Sequence, residues 1–94
     1  MNTDRDIAGL LKAGNKAQLE KLRENNHKKD FNDVNVEYCF RRLSDERLEL
    51  RDEIINGELD YKKIRREFAD VANFAHMGIL ACDRVLNKKE NNNG

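Results

Sequence analysis

Two pairs of acids at helical spacing carry the chemistry this chain could perform. Glu46 and Glu49 form one pair, inside the run Asp45-Glu46-Arg47-Leu48-Glu49, and Glu67 and Asp70 form the other. An i, i+3 separation puts both members of a pair on one side of a helix, about one turn apart. On such a helix Glu67 falls about 40° from Val71, the middle of an apolar stripe made by Ile64, Phe68, Val71, Ala75, Gly78 and Cys82. Glu46 lies about 60° from Leu43, the centre of a second stripe, with Glu53 about 80° and Glu49 about 120° away. Carboxylates aimed at the edge of a core are costly unless a cation or hydrogen bonds meet them. Two antiparallel helices presenting these pairs would converge four carboxylates, which raise one another's pKa unless a divalent ion neutralises them. All-oxygen ligation suits Mg²⁺ or Mn²⁺, not zinc, and Mg²⁺ commonly completes its shell with water and phosphate oxygens. The chemistry that follows is phosphoryl chemistry with a water nucleophile.

The same acids also suit a solvated face laced with ion pairs. Arg42 with Glu46, Arg47 with Asp45 or Glu46, and Arg66 with Asp70 all have the spacing for it. Spacing alone leaves both readings open.

The elements that must position these acids are helical. Proline is absent and aromatics are only 6% of the chain. Thr3 is a candidate N-cap with Asp4 and Asp6 behind it, opening a first helix that Gly14-Asn15 is expected to bend or break and Asn25-Asn26-His27 to end. His27 to Val34 reads as a loop. Asn35 then caps a long second helix, residues 36–56, whose buried stripe is Val36, Cys39, Phe40, Leu43, Leu50 and Ile54. Gly57 is the expected left-handed stop. Asp60 caps a third helix reaching about Leu86. The chain thus reads as all-α, one domain over residues 1–87, with 88–94 a frayed polar tail. A third helix of that length, roughly 40 Å, overhangs a 94-residue globule of about 32 Å diameter. A second copy of the chain is therefore expected to cover it.

Eighteen basic residues balance eighteen acidic ones. Without a net basic field, neither nucleic acid nor an anionic membrane is an expected partner, and no stretch reads as a membrane span or targeting signal. Cys39 and Cys82 lie within apolar helical faces and read as reduced thiols in a cytoplasmic protein. There is no Ser/His/Asp or Cys/His arrangement and no glycine-rich phosphate loop. His76, opposite Asp70 on its helix, reads as a core or interface histidine, and Arg84 as a surface residue. Glu24-x-x-His27 has no mate of the kind di-iron bundles need.

Asp45-Glu46-x-x-Glu49, seventeen residues, then Glu67-x-x-Asp70 resembles the EExxE…ExxD signature of the MazG-like all-α nucleoside triphosphate pyrophosphohydrolases. His27-Lys28, Tyr38 with Arg41-Arg42-Leu43, and Ala69-Asp70-Val71-Ala72-Asn73-Phe74 are similar to segments of the short phage-type members, so the likeness spans roughly Leu22 to Met77. The resemblance implies a helical bundle completed as a homodimer or dimer of dimers, located in the (host) cytoplasm. It implies Mg²⁺-dependent hydrolysis of an NTP or dNTP to the monophosphate and pyrophosphate. Its metal ligands map to Glu46, Glu49, Glu67 and Asp70, with Glu46 or Glu49 taking the proton of the attacking water. Asn73 matches a position near the nucleotide, where sugar or base is within its reach. Lys28 and Lys29 are candidates to reach the β and γ phosphates. Phe31 stands where relatives often have a Trp, for base stacking or as a core plug. Lys63, one turn before Glu67, is a candidate phosphate contact, with an ion pair to Glu67 the preferred alternative. A catalytically silent bundle that binds a nucleotide or a protein as a regulator needs the same fold and is the competing reading.

Overall fold

Each helix start is written in its capping residue. Thr3 and Asp6 form a reciprocal capping box, Thr3 Oγ1 accepting from the Asp6 amide (3.2 Å) and Asp6 Oδ2 from the Thr3 amide (2.9 Å). Asn35 Oδ1 accepts from the Tyr38 amide at 2.7 Å, and Asp60 Oδ1 from the Lys62 and Lys63 amides. A computed structural model describes residues 1–25 and 31–93. In it the chain runs as α1 (Asp4–Glu24), a short 3₁₀ turn (Phe31–Asp33), α2 (Val36–Asn56) and α3 (Tyr61–Asn93). No strand occurs among the described residues.

Helix α3 is the central rod: α2 packs against it and α1 lies on it too. Both run antiparallel to it. Lys21 faces Asp70 while Glu24 faces Arg66, and Tyr38 meets Phe74 while Glu53 meets Lys63.

Three details differ from the sequence reading. Helix α1 passes through Gly14-Asn15 without a break. A mid-helix glycine costs only about 1 kcal/mol, and Glu20–Arg65 and Glu24–Arg66 pairs tie the following turns to α3. Gly57 is extended (φ −100°, ψ 163°), not left-handed. Its lack of a side chain serves close approach instead, since a Cβ there would lie 2.8 Å from the Glu53 carbonyl oxygen. Helix α3 continues through Lys88 to Asn93, beyond the expected stop at Leu86, because neither proline nor glycine occurs between Leu86 and Asn93.

At 33 residues α3 is about 50 Å long, close to the 54 Å longest dimension of the molecule. The core is correspondingly thin: Val34, Cys39, Ile64, Ala69 and Ala81 are the buried apolar residues. Several residues expected inside are outside. Phe40 is 69% exposed, Phe68 55%, Val36 46% and Ile54 42%, and Cys82 is exposed as well. Only one neighbour covers each side of α3, so the rest of its circumference and the outer edge of α2 stay open. Val36, Phe40, Ala75, Ile79 and Cys82 there line a shallow apolar groove. No helix among the described residues is long and apolar enough to cross a membrane.

Candidate metal centre and ligand cleft

Tyr38, Arg42, Glu46 and Glu49 occur at successive turns along one side of α2. Opposite them on α3 come Asp70, Asn73, Phe74 and Met77 in the reverse spatial order. With Lys21 of α1 and Phe31 of the 3₁₀ turn, these side chains wall a cleft of about 370 Å³. Because the helices are antiparallel, the acids gather at one end and the aromatic rings at the other.

At the acidic end, Glu46, Glu49 and Glu67 each offer an oxygen within 4.8 Å of the other two. Glu46 is 6% exposed. Its Oε1 accepts from Arg42 Nη2 at 3.0 Å, while its Oε2 is buried with no hydrogen-bond partner, as is Glu67 Oε2. Asp70 lines the same cleft but is not one of the three converging oxygens; its carboxylate lies 3.5 Å from Lys21 Nζ.

Burial pushes the Glu46 carboxyl up to about 7, aided by the neighbouring Glu49 and Asp70 carboxylates, with Arg42 opposing. Glu67 is raised by burial and then by Asp70 and Glu49, with Lys21 the counterweight. Asp70 is raised by burial, against the pull of Lys21. Glu46, Glu67 and Asp70 resist ionisation, and Glu46 and Glu67 each keep an orphaned buried oxygen; an all-carboxylate cluster of this kind fits a hard divalent cation. Glu46, Glu49 and Glu67 would hold it, with Asp70 beside them.

The other predicted positions divide. Phe31 and Asn73 line the cleft. Asn73 is buried, its Nδ2 donating to the Gln18 carbonyl at 3.2 Å, which leaves Oδ1 buried without a donor. Lys63 is not in the cleft wall. Its ammonium pairs with Glu53 at 3.8 Å, not with Glu67, because the antiparallel register sets the end of α2 beside the start of α3. Lys28 and Lys29, like His27, lie outside the described residues. Arg42 does pair with Glu46 and Asp45, but Arg66 clamps Glu24 (2.9 and 3.0 Å) instead of Asp70. His76 is exposed and hydrogen-bonds Gln18.

Sequence reasoning missed two residues of the site. Arg84 is a half-buried strut, not a surface residue: its Nη2 donates to the Phe31 and Val34 carbonyls at 3.1 and 2.9 Å, fixing the cleft's outer wall to α3. Lys21 is the nearest cation to Asp70. Its one signal in the chain is an i, i+3 alignment with Gln18 and Glu24, which gains meaning only once α1 is known to lie on α3. Compared with protein-family models, with curated proteins and with solved structures, the chain finds no match.

Proposed function

We propose that this chain is a Mg²⁺-dependent nucleoside triphosphate pyrophosphohydrolase, splitting an NTP or dNTP between the α and β phosphates. The observation that carries the reading is the convergence of Glu46, Glu49 and Glu67 oxygens within 4.8 Å, with two of the carboxylates keeping a buried, unpartnered oxygen. The two-ended cleft supports it. Tyr38 and Glu46 are eight residues apart on α2, about 12 Å, a span that suits a base at Phe31, Tyr38 and Phe74 and phosphates at the acids. A bound Mg²⁺ (or Mn²⁺) supplies charge neutralisation and a water of lowered pKa. The chain's own residues do the rest: the aromatic end excludes water around the base, Asn73 Oδ1 accepts from the nucleoside, and Glu46 or Glu49 takes the water's proton. The resemblance of the acid motifs to the MazG-like enzymes points the same way, as does the open Val36–Phe40–Ile79 groove to assembly with further copies of the chain, as a dimer or tetramer in the cytoplasm.

A second reading, a silent regulator that binds a nucleotide or a protein, is favoured by one feature. Lys21 and Arg42 already pair with Asp70 and Glu46, so part of the acidic charge is met from within. Incubation with a panel of dNTPs and NTPs plus Mg²⁺ separates the two. The hydrolase reading expects stoichiometric pyrophosphate and monophosphate from at least one of them, abolished in Glu67→Gln and Asp70→Asn. Full turnover in those variants would remove them as ligands, and no turnover with any nucleotide would leave the regulator.

A further inference from the structure

The acidic end of the cleft holds Glu46, Glu49, Glu67 and Asp70, four negative charges when all are ionised, against two cations, Lys21 and Arg42. Lys21 Nζ is 3.5 Å from Asp70 and 3.5 Å from Glu24, and its side chain is 14% exposed, so its stem is packed and its head is confined to the cleft wall. Arg42 bridges Glu46 (3.0 Å) and Asp45 (3.3 Å) while its guanidinium lies 5.3 Å from the centre of the Phe74 ring. Both cations are therefore spent on carboxylates that a divalent ion would also claim. Acids alone do not single out a ligand, but Asn73, 4% exposed in the same cleft, keeps a buried Oδ1 with no donor.

We infer that Lys21 and Arg42 are the phosphate-binding groups of the cleft, held in reserve by Asp70 and Glu46 until a divalent cation takes over those carboxylates. The inference rests on the reading of the cleft as a site for a divalent ion and a triphosphate chain. Once the ion claims Asp70 and Glu46, the ammonium keeps Glu24 (3.5 Å) and the guanidinium Asp45 (3.3 Å), both more exposed, and their freed donors face the incoming phosphate oxygens on the cleft wall. A guanidinium fork suits two phosphate oxygens at once. The Phe74 face keeps it at the wall when Glu46 lets go. Lys63, the basic residue that spacing alone would nominate, is engaged with Glu53 outside the cleft.

Two consequences of opposite sign follow. Removing either cation removes a competitor for the metal and a donor for the phosphate. Calorimetric titration of the full chain, with Mg²⁺ alone and then with sodium tripolyphosphate at fixed Mg²⁺, reads both. Lys21→Met and Arg42→Met are expected to bind Mg²⁺ about 2–5-fold more tightly and tripolyphosphate about 10–100-fold more weakly than wild type. In wild type, Mg²⁺ raises tripolyphosphate affinity, and that coupling shrinks in both variants. Lys21→Gln and Arg42→Gln stand in if a Met variant melts below the assay temperature. The same loss is expected with a deoxynucleoside triphosphate; a loss confined to the nucleotide would place the two cations against base or sugar and overturn the assignment. Unchanged tripolyphosphate affinity, or weaker Mg²⁺ binding, in variants whose melting is intact would overturn it while leaving the cation site standing. Wild type that binds no Mg²⁺ would bring down the site reading and this inference together.

Discussion

Glu46 and Glu67, on opposite helices and 21 residues apart, bring carboxylate oxygens within 4.8 Å of each other, and each has a buried oxygen, Oε2, without a hydrogen-bond partner. A buried and a half-buried acid do not hold such an arrangement for stability. The fold bears their mutual repulsion, and the consequences are measurable.

The metal-free protein should lose stability as pH rises. The folded Glu46 carboxyl, at about 7, binds its proton more tightly than the unfolded one near 4.5. Its contribution is therefore whole below about pH 4.5 and is lost as pH rises through about 7, a change of up to about 3 kcal/mol. Glu46→Gln should flatten that part of the profile and melt higher than wild type at pH 8 in a chelator. Urea titrations across pH 4–8 will show it. A Gln variant less stable than wild type at pH 8 would mean that the Arg42 pairing outweighs the penalty of burying the charge.

Divalent ions should reverse the effect and expel protons. At pH 6.5 much of Glu46 is protonated, so binding at the carboxylates must release protons, while at pH 8 it releases few. Calorimetry in two buffers of different ionisation enthalpy counts them. Mg²⁺ should also raise the melting temperature at pH 8, EDTA should restore it, and neither should act on Glu67→Gln.

Asn73→Ala tests the nucleoside end. The substitution removes the donor to the Gln18 carbonyl and the free Oδ1 together, so stability should fall by about 1–2 kcal/mol. If Oδ1 receives a substrate hydroxyl or N–H, KM should rise by about 5–100-fold with kcat little changed. Steady-state kinetics on the nucleotide that wild type prefers decides between a binding role and a purely structural one.

Phe40→Glu tests the open face. Phe40 is 69% exposed beside Ile79 at 58% along the groove between α2 and α3. A charge placed there should cost a self-association that buries it several kcal/mol while leaving the monomer's own packing unharmed. Light scattering should give a mass of two or four chains for wild type and one chain for the variant. A wild-type mass of one chain at micromolar concentration would show that the groove is left open by design.

Much of this architecture was legible in the chain because it depends on local physics. Thr3, Asn35 and Asp60 cap their helices through their own side chains, and caps act over three residues. The acids at 46, 49 and 67 stand out because a helical period places them against apolar neighbours, whatever the partner helix is. Gly14 misled for the opposite reason: propensity is a small local term, and ion pairs to α3 outweigh it. The 69% exposure of Phe40 shows the other limit, since a stripe of apolar residues records that a face is to be covered but not by what.

The sequence alone, then, determined three helices, their starts, and two pairs of acids bordering apolar stripes, with a metal cluster and a solvated ion-paired face both open. Only the tertiary structure decided that Lys21 answers Asp70, that Lys63 turns to Glu53, that Arg84 braces the Phe31 turn, and that Asn73 keeps an unpartnered oxygen in the cleft. Those pairings join residues 10 to 53 positions apart. They follow from the register in which antiparallel rods slide against one another, which is set by the summed packing of whole faces and is written at no single position.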